Sequence, residues 1–253
     1  MTAPDIRIGT SGWVYKHWRN VFYPHGVPQS RWLAFYAEHF DTVEVNFSFY
    51  RLPAKQTFAS WRQRAAPGFR YAVKGSRYIT HLKRLLEPEE HVNRFFERVA
   101  GLGDRSGPIL WQLPPDLHRD DERLRRFLAA LPAEYRSTVE FRHESWHVEP
   151  VYELLAEHRV ALSIPDHPRY PQALRLTAGW TYIRFHYGGS PDGDYTPAEL
   201  DRWADRIRAF RDQGAEVWAY FNNDWLPAQG QPDPRPLALQ DALSLRGRLT
   251  STL

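Results

Sequence analysis

The sequence predicts an α/β fold, a single (β/α)8 TIM barrel formed by residues 1–253. Three observations point to it. Short apolar runs alternate with longer amphipathic stretches along the whole chain, as repeated β-α units and a parallel sheet require. Eight strand candidates occur, the number that closes a barrel. Six of the runs end in charged or amide side chains, as in TVEVNFSFYR, RYAVKG, PILWQLPP, STVEFRHESW, TYIRFHY and EVWAYFNND. Polar groups therefore gather outside the carboxyl ends of the strands, where parallel α/β folds bind ligands.

In chain order, strands are predicted at Ile6 to Ser11, Thr42 to Phe47, Arg70 to Lys74, Ile109 to Leu113, Thr138 to Arg142, Ala161 to Ile164, Thr181 to His186 and Glu216 to Phe221. Helices are predicted at Gln29 to His39, Lys55 to Ala65, Pro88 to Gly101, Asp121 to Leu131, Glu149 to His158, Pro197 to Gln213 and Arg235 to Arg248. Pro28 and Pro197 sit where helices begin, and Thr196 offers an N-cap oxygen. Gly101 and Gly214 follow a last apolar turn, as C-terminal glycines do. The connection from Asp166 to Gly179 is proline-rich and is expected to lack a full helix. A doubly wound sheet shows the same alternation. Its dinucleotide site is disfavoured because the first strand leads into GTSGWVYKHW, without GxGxxG spacing, and no GxxxxGK[ST] loop occurs.

With 42% hydrophobic and 25% charged residues, the chain has the makeup of a globular protein. No apolar stretch approaches the roughly 18 to 20 residues that span a bilayer, so no membrane partner is expected. Met1 to Arg7 lacks a signal-peptide layout, and a cytoplasmic location is expected. The absence of cysteine excludes disulfides, thiolate metal sites and a Cys nucleophile. Only four basic residues are lysines, the rest arginines, which suits anionic ligands and is equally explained by a GC-rich coding genome. The pI near 9.1 alone is weak evidence for nucleic acid.

Side chains alternate faces along a strand. If the valines of TVEVN face the helices, Glu44 and Asn46 project into the barrel. The same parity places Glu140 with Arg142, Arg184 with His186, and Tyr220 with Asn222 and Asp224. Lys74 and Gln112 add one group each. Buried charges must pair or meet a ligand, so Glu44, Glu140, Arg142, Arg184 and Lys74 either neutralise one another or bind something. Glu44 and Glu140 are candidate acid and base, or metal ligands. His143 and His186 can transfer a proton, and Lys74 is expected in a charged, anion-binding or ion-paired role. Arg51, Arg142 and Arg184 suit a phosphate or carboxylate, while Asn46, Gln112 and Asn222 orient hydroxyls. Trp13, Trp146 and Trp225 follow strands directly and are expected to reach the site. No HxH or HExxH pair occurs among the eleven histidines, so no cofactor is predicted and a divalent metal has no motif behind it.

The motifs GTSGWVYKHW, VEVNFSFYRLP, WQLPP, VEFRHESW and YFNND, spread over Ile6 to Asp224, resemble the YecE-like family. The resemblance implies a TIM barrel long regarded as a domain of unknown function. It carries over to Gly9 through Trp13, to Glu44, Asn46, Phe49, Tyr50 and Arg51, to Lys74, Gln112 and Pro114, to Glu140, Arg142, His143 and Trp146, and to Arg184, His186 and Asn222 through Asp224. After YFNND relatives tend to continue with a short Gly/Ala run, whereas this chain reads WLPAQGQPDPRP. The implied fold is also similar to that of endonuclease IV and xylose isomerase, whose metal sites are richer in His, Glu and Asp. The expected function is an enzyme acting on an anionic polyhydroxylated substrate, such as a phosphoester, nucleotide or sugar phosphate, with hydrolase or lyase chemistry ahead of isomerisation. A nucleic-acid-binding protein without chemistry, or a small-molecule sensor, is the alternative.

Overall fold

The structure, a computed structural model, describes residues 5–191, 193–223 and 235–250. Eight parallel strands follow one another around a barrel: β1 (Ile6–Thr10), β2 (Thr42–Val45), β3 (Arg70–Lys74), β4 (Ser106–Gln112), β5 (Ser137–Glu140), β6 (Ala161–Asp166), β7 (Trp180–Phe185) and β8 (Glu216–Phe221). Outside them lie α1 (Trp32–His39), a short turn α2 (Phe47–Tyr50), α3 (Lys55–Arg64), α4 (Pro88–Val99), α5 (Asp121–Ala129), α6 (Glu149–Glu157), α7 (Pro197–Asp212) and α8 (Leu237–Thr250). The connection between β6 and β7 has no helix, as its prolines predict. Among the described residues no helix is long and apolar enough to cross a membrane.

Pairing runs continuously from β2 through β3 to β8 and on to β1. The β1–β2 seam is closed differently. Only Ser11 and Glu44 form a backbone bridge there. Below it the Tyr36 hydroxyl on α1 accepts the Thr10 N–H at 3.0 Å and donates to the Thr42 carbonyl at 3.2 Å. A helix side chain thus joins two strands whose own ladder is missing. Gly9 permits the approach, since a Cβ there would lie 2.4 Å from the Thr42 carbonyl oxygen.

Of the boundaries that differ from the predicted ones, three have clear local reasons. β2 stops at Val45, because Ser48 donates to the carbonyls of Val45 (3.0 Å) and Lys74 (2.6 Å) and turns the chain into α2. β4 begins earlier, at Ser106, and takes in Gly107 and Pro108; its register with β3 shifts between Tyr71 and Val73, an irregularity that suits a residue without an N–H. Gly101 does not end a helix, since a 3-10 stretch continues over Ala100–Arg105. There the glycine lets the chain pass α3, whose Lys55 carbonyl would be 2.3 Å from a Cβ. By contrast α7 starts as predicted, with Thr196 and Glu199 in a capping box and Pro197 in its first turn.

The apolar interior has two parts. A large layer between strands and helices holds Val43, Val45, Trp111, Val139, Phe141, Ile183 and Phe221. A smaller cluster of Ala72, Leu110, Ala161, Trp180, Tyr182, Trp218 and Tyr220 carries the opposite strand parity and fills the barrel itself. The tyrosine rings belong to this apolar plug, while their hydroxyls reach polar groups: Tyr182 to Glu44 at 2.8 Å and Tyr220 to Thr42 Oγ1 at 2.6 Å. The plug is the floor of the polar layer above it.

Candidate functional site

Glu44 at the end of β2, Glu140 at the end of β5 and Arg184 near the end of β7 point into the barrel and are all completely buried. The strand parity predicted from sequence brings them together. Arg184 grips Glu44 bidentately, Nε to Oε2 and Nη2 to Oε1, both at 2.9 Å, and Nη1 donates to Glu140 Oε2 at 2.9 Å. Ser11 (2.5 Å) and Tyr182 complete the bonds to Glu44, while Gln112 Nε2 (2.6 Å) and Arg142 Nε (2.9 Å) complete those to Glu140 Oε1. Burial alone would raise both carboxyls. The charge of Arg184 outweighs it, with its hydrogen bonds at Glu44 and with Arg142 at Glu140. Both glutamates are therefore held ionised, Glu140 well below the usual carboxylate range.

Arg184 is sealed from solvent and its guanidinium is engaged by protein carboxylates. Held ionised, Glu44 and Glu140 have no proton to give as a general acid. They neutralise the cations around them, the other outcome foreseen for buried charges.

His186 lies beside the triad. Arg184 Nη1, always a donor, is 3.2 Å from His186 Nε2, so Nε2 must accept. The ring proton then sits on Nδ1, which lies 3.2 Å from Asn222 Nδ2; two donors cannot bond, so the side-chain amide is assigned the turned-over orientation in which its oxygen accepts. Burial and Arg184 hold His186 neutral, well below its ordinary pKa.

Lys74 ends β3 at the same level and is half-buried. Of the charged, anion-binding or ion-paired roles expected for it, the ion pair is not formed: it makes no ion pair or side-chain hydrogen bond among the described residues. Its Nζ instead sits 4.2 Å from the centre of the Phe49 ring. Burial lowers its pKa to about 7, with Arg184 adding to the fall while Glu140 and Glu44 oppose it. The reason is geometric: the carboxylates that would have paired with Lys74 are occupied by Arg184.

Arg142 is partly exposed. Beyond Glu140 it reaches the Tyr170 hydroxyl at 3.3 Å and stacks over that ring at 4.3 Å. Asn46 is half-buried just after β2, and its Oδ1 is buried without a partner among the described residues. Such an acceptor marks a place for a water or ligand donor. His81, in the π-helical turn Tyr78–Leu82, packs edge-on against Phe49 at 4.9 Å. Burial, then Lys74, hold His81 down at about 4.

Other predicted residues are placed elsewhere. Trp146 is fully buried against Phe141, and its indole N–H donates to the Leu117 carbonyl at 2.7 Å, so it serves the helix layer and offers nothing to a ligand. Trp13 packs edge-on against Trp61 of α3 at 5.3 Å. His143 accepts the Ser145 N–H with Nδ1, caps the turn Glu144–Trp146 and stacks on His118 at 3.9 Å. Tyr50 and Arg51 are exposed at the end of α2. Asp224 and Trp225 lie outside the described residues, as does most of the divergent stretch that follows. Sequence reasoning passed over Tyr182, Tyr170 and His81. Tyr182 shares the parity of Arg184 and was open to detection; Tyr170 and His81 stand in loops, where parity carries no signal. Among the described residues no group of three or more His, Asp or Glu side chains is placed to hold a metal.

A family model described as "Protein of unknown function DUF72" matches residues 7–249. The chain is 32% identical to the UPF0759 protein YecE of Escherichia coli K12 over 139 residues, 54% of this chain and 48% of YecE, so the match spans about half that relative's length. It is 24% identical to YunF of Bacillus subtilis, covering 87% of this chain and 89% of YunF. A solved DUF72 family protein from Thermotoga maritima superposes with a TM-score of 0.83 at 26% identity, covering 97% of this chain and 99% of that one. With the strands, the seam and the polar layer all inside the matched region, the chain belongs to the DUF72 family.

Proposed function

We propose that the polar layer is the active site of an enzyme acting on a small anionic, hydroxyl-bearing substrate, with Lys74 as the proton-transfer group. The observation that carries this is an amine at a strand end with no ion-pair partner among the described residues, held near pH 7 beside two carboxylates committed to Arg184. A base with a pKa near the working pH is the most effective proton carrier. Arg142 is the anion-holding group, because it keeps N–H groups without acceptors among the described residues and borders solvent. Asn46 Oδ1 accepts from a substrate hydroxyl, and His186 with Asn222 forms a neutral polar wall. Glu44, Glu140 and Arg184 are the rigid base on which these groups stand. Sugar phosphates and nucleotides fit this chemistry.

Two measurements test it. A panel of sugar phosphates and nucleoside monophosphates is expected to raise the Tm of the wild type and not that of Arg142→Met. NMR of 13C-labelled lysine, with Lys74→Arg for assignment, is expected to show one of the four lysines titrating near pH 7. A flat panel together with Lys74 titrating near 10 would overturn the proposal. Exposed Phe47, Tyr50 and Tyr78 beside exposed Arg51 and Arg77 favour a second substrate form, the end of a nucleic-acid strand. Binding of single strands that weakens steeply with salt would select that form.

A further inference from the structure

Resting on Lys74 acting as an uncharged amine, we propose that its Nζ is a carbonyl-directed nucleophile that forms a Schiff base with an aldehyde or ketone bearing a phosphate or carboxylate. A lysine serving as a fixed charge is held by an acceptor. Among the described residues this one has none, and its Nζ sits 4.2 Å from the centre of the Phe49 ring. Its backbone is pinned: the Lys74 carbonyl accepts from Ser48 at 2.6 Å, and the Gly75 N–H donates to Leu110 at 2.8 Å. Gly75 is required there, because a Cβ would lie 2.3 Å from the Trp111 ring. The amine is thus delivered from a rigid strand end, partly open to solvent.

The surrounding charges suit both halves of the reaction. Arg184 and Arg142, with burial, favour the neutral amine that must attack. Glu140 and Glu44 favour a cation at the same position, and the iminium product is a cation. The neutral amine forms a bond to the carbonyl carbon as the carbonyl π pair moves to oxygen, which takes a proton. The carbinolamine then loses water with cleavage of the C–O bond, so amine, carbonyl compound and one proton give iminium and water. No oxidant or reductant takes part. Arg142 requires that the carbonyl compound carry an anion, which narrows the substrate to phosphorylated or carboxylated aldehydes and ketones.

The groups facing Lys74 are Glu44 on β2, Glu140 and Arg142 at β5, Arg184 and His186 at β7 and His81 in the loop after β3. Pyruvate, dihydroxyacetone phosphate and the neutral probe acetone are each incubated with the protein and sodium cyanoborohydride, and the adducts are mapped by mass spectrometry. Lys16, Lys55 and Lys83 serve as internal references. The expected result at pH 7 is labelling of Lys74 by the two anionic probes at least about tenfold above the reference lysines, rising as the pH climbs through 7. Lys74→Arg, checked for a native Tm, removes the adduct. Arg142→Met lowers labelling by the anionic probes several-fold more than labelling by acetone, which falls only as far as the loss of a neighbouring positive charge raises the Lys74 pKa. Equal labelling of all four lysines, or none at Lys74, overturns the Schiff base. If Lys74 nonetheless titrates near 7, its role in proton transfer stands; if it titrates at its ordinary value, both fall.

Discussion

Arg184 decides the chemistry of every other side chain in the site. By satisfying Glu44 and Glu140 together it strips Lys74 of its natural partners and forces His186 to accept rather than donate. Removing one member of a buried ion network leaves the rest uncompensated, at a cost of about 3–5 kcal/mol. Glu44→Gln and Glu140→Gln are each expected to lose stability of that order in urea titrations, and a loss below about 1 kcal/mol would mean the network is hydrated. Strand parity made the inward direction of these residues legible in the sequence. It did not show that the arginine meets protein carboxylates and not a ligand, because alternation gives a side chain's face and not its reach.

The element that departs most from a regular barrel is the β1–β2 seam. There one tyrosine hydroxyl on α1 satisfies a backbone donor of β1 and a backbone acceptor of β2. Leaving both buried groups unpaired costs about 1–3 kcal/mol per group. Tyr36→Phe is therefore expected to lose about that much stability and to lose hydrogen-exchange protection at the Thr10 amide, while protection at the β7–β8 ladder persists. Equal loss in both places would mean that the seam does not open locally. In the sequence Tyr36 reads as one more apolar residue of an amphipathic helix. The proline-rich connection after β6 was legible, since repeated prolines cannot sit in a helix beyond its first turn. The early end of β2 was not, because it depends on Ser48 reaching the Lys74 carbonyl of the next strand.

Across the whole molecule the buried ionisable groups set the response to pH. His186 lies well below 6.5 in the fold and His81 is at about 4, so below pH 6.5 the unfolded chain binds more protons and stability falls. Glu44 and Glu140, lowered from 4.5, add a further loss as the pH drops past that value. Lys74 acts at the other end. With a folded value of about 7 against 10.5 unfolded, it penalises the fold fully below pH 7, and the penalty fades as the pH rises towards 10.5. Lys74→Met is therefore expected to have a higher Tm than the wild type at pH 7, with the two converging near pH 10. Matching Tm values at both pH values would show that Lys74 is solvated and unperturbed.

The order of hydrophobic periods along the chain by itself determined the eight-stranded parallel barrel, the face on which the polar strand ends gather and the inward direction of Glu44, Glu140, Arg184 and His186. These are properties of local alternation, and local alternation is written in sequence. Only the tertiary structure decided which charges meet. β2 and β7 lie far apart in the chain, yet their end residues touch across a barrel interior narrow enough for one guanidinium to span it. Because that single arginine holds both carboxylates, the group left unpaired is Lys74.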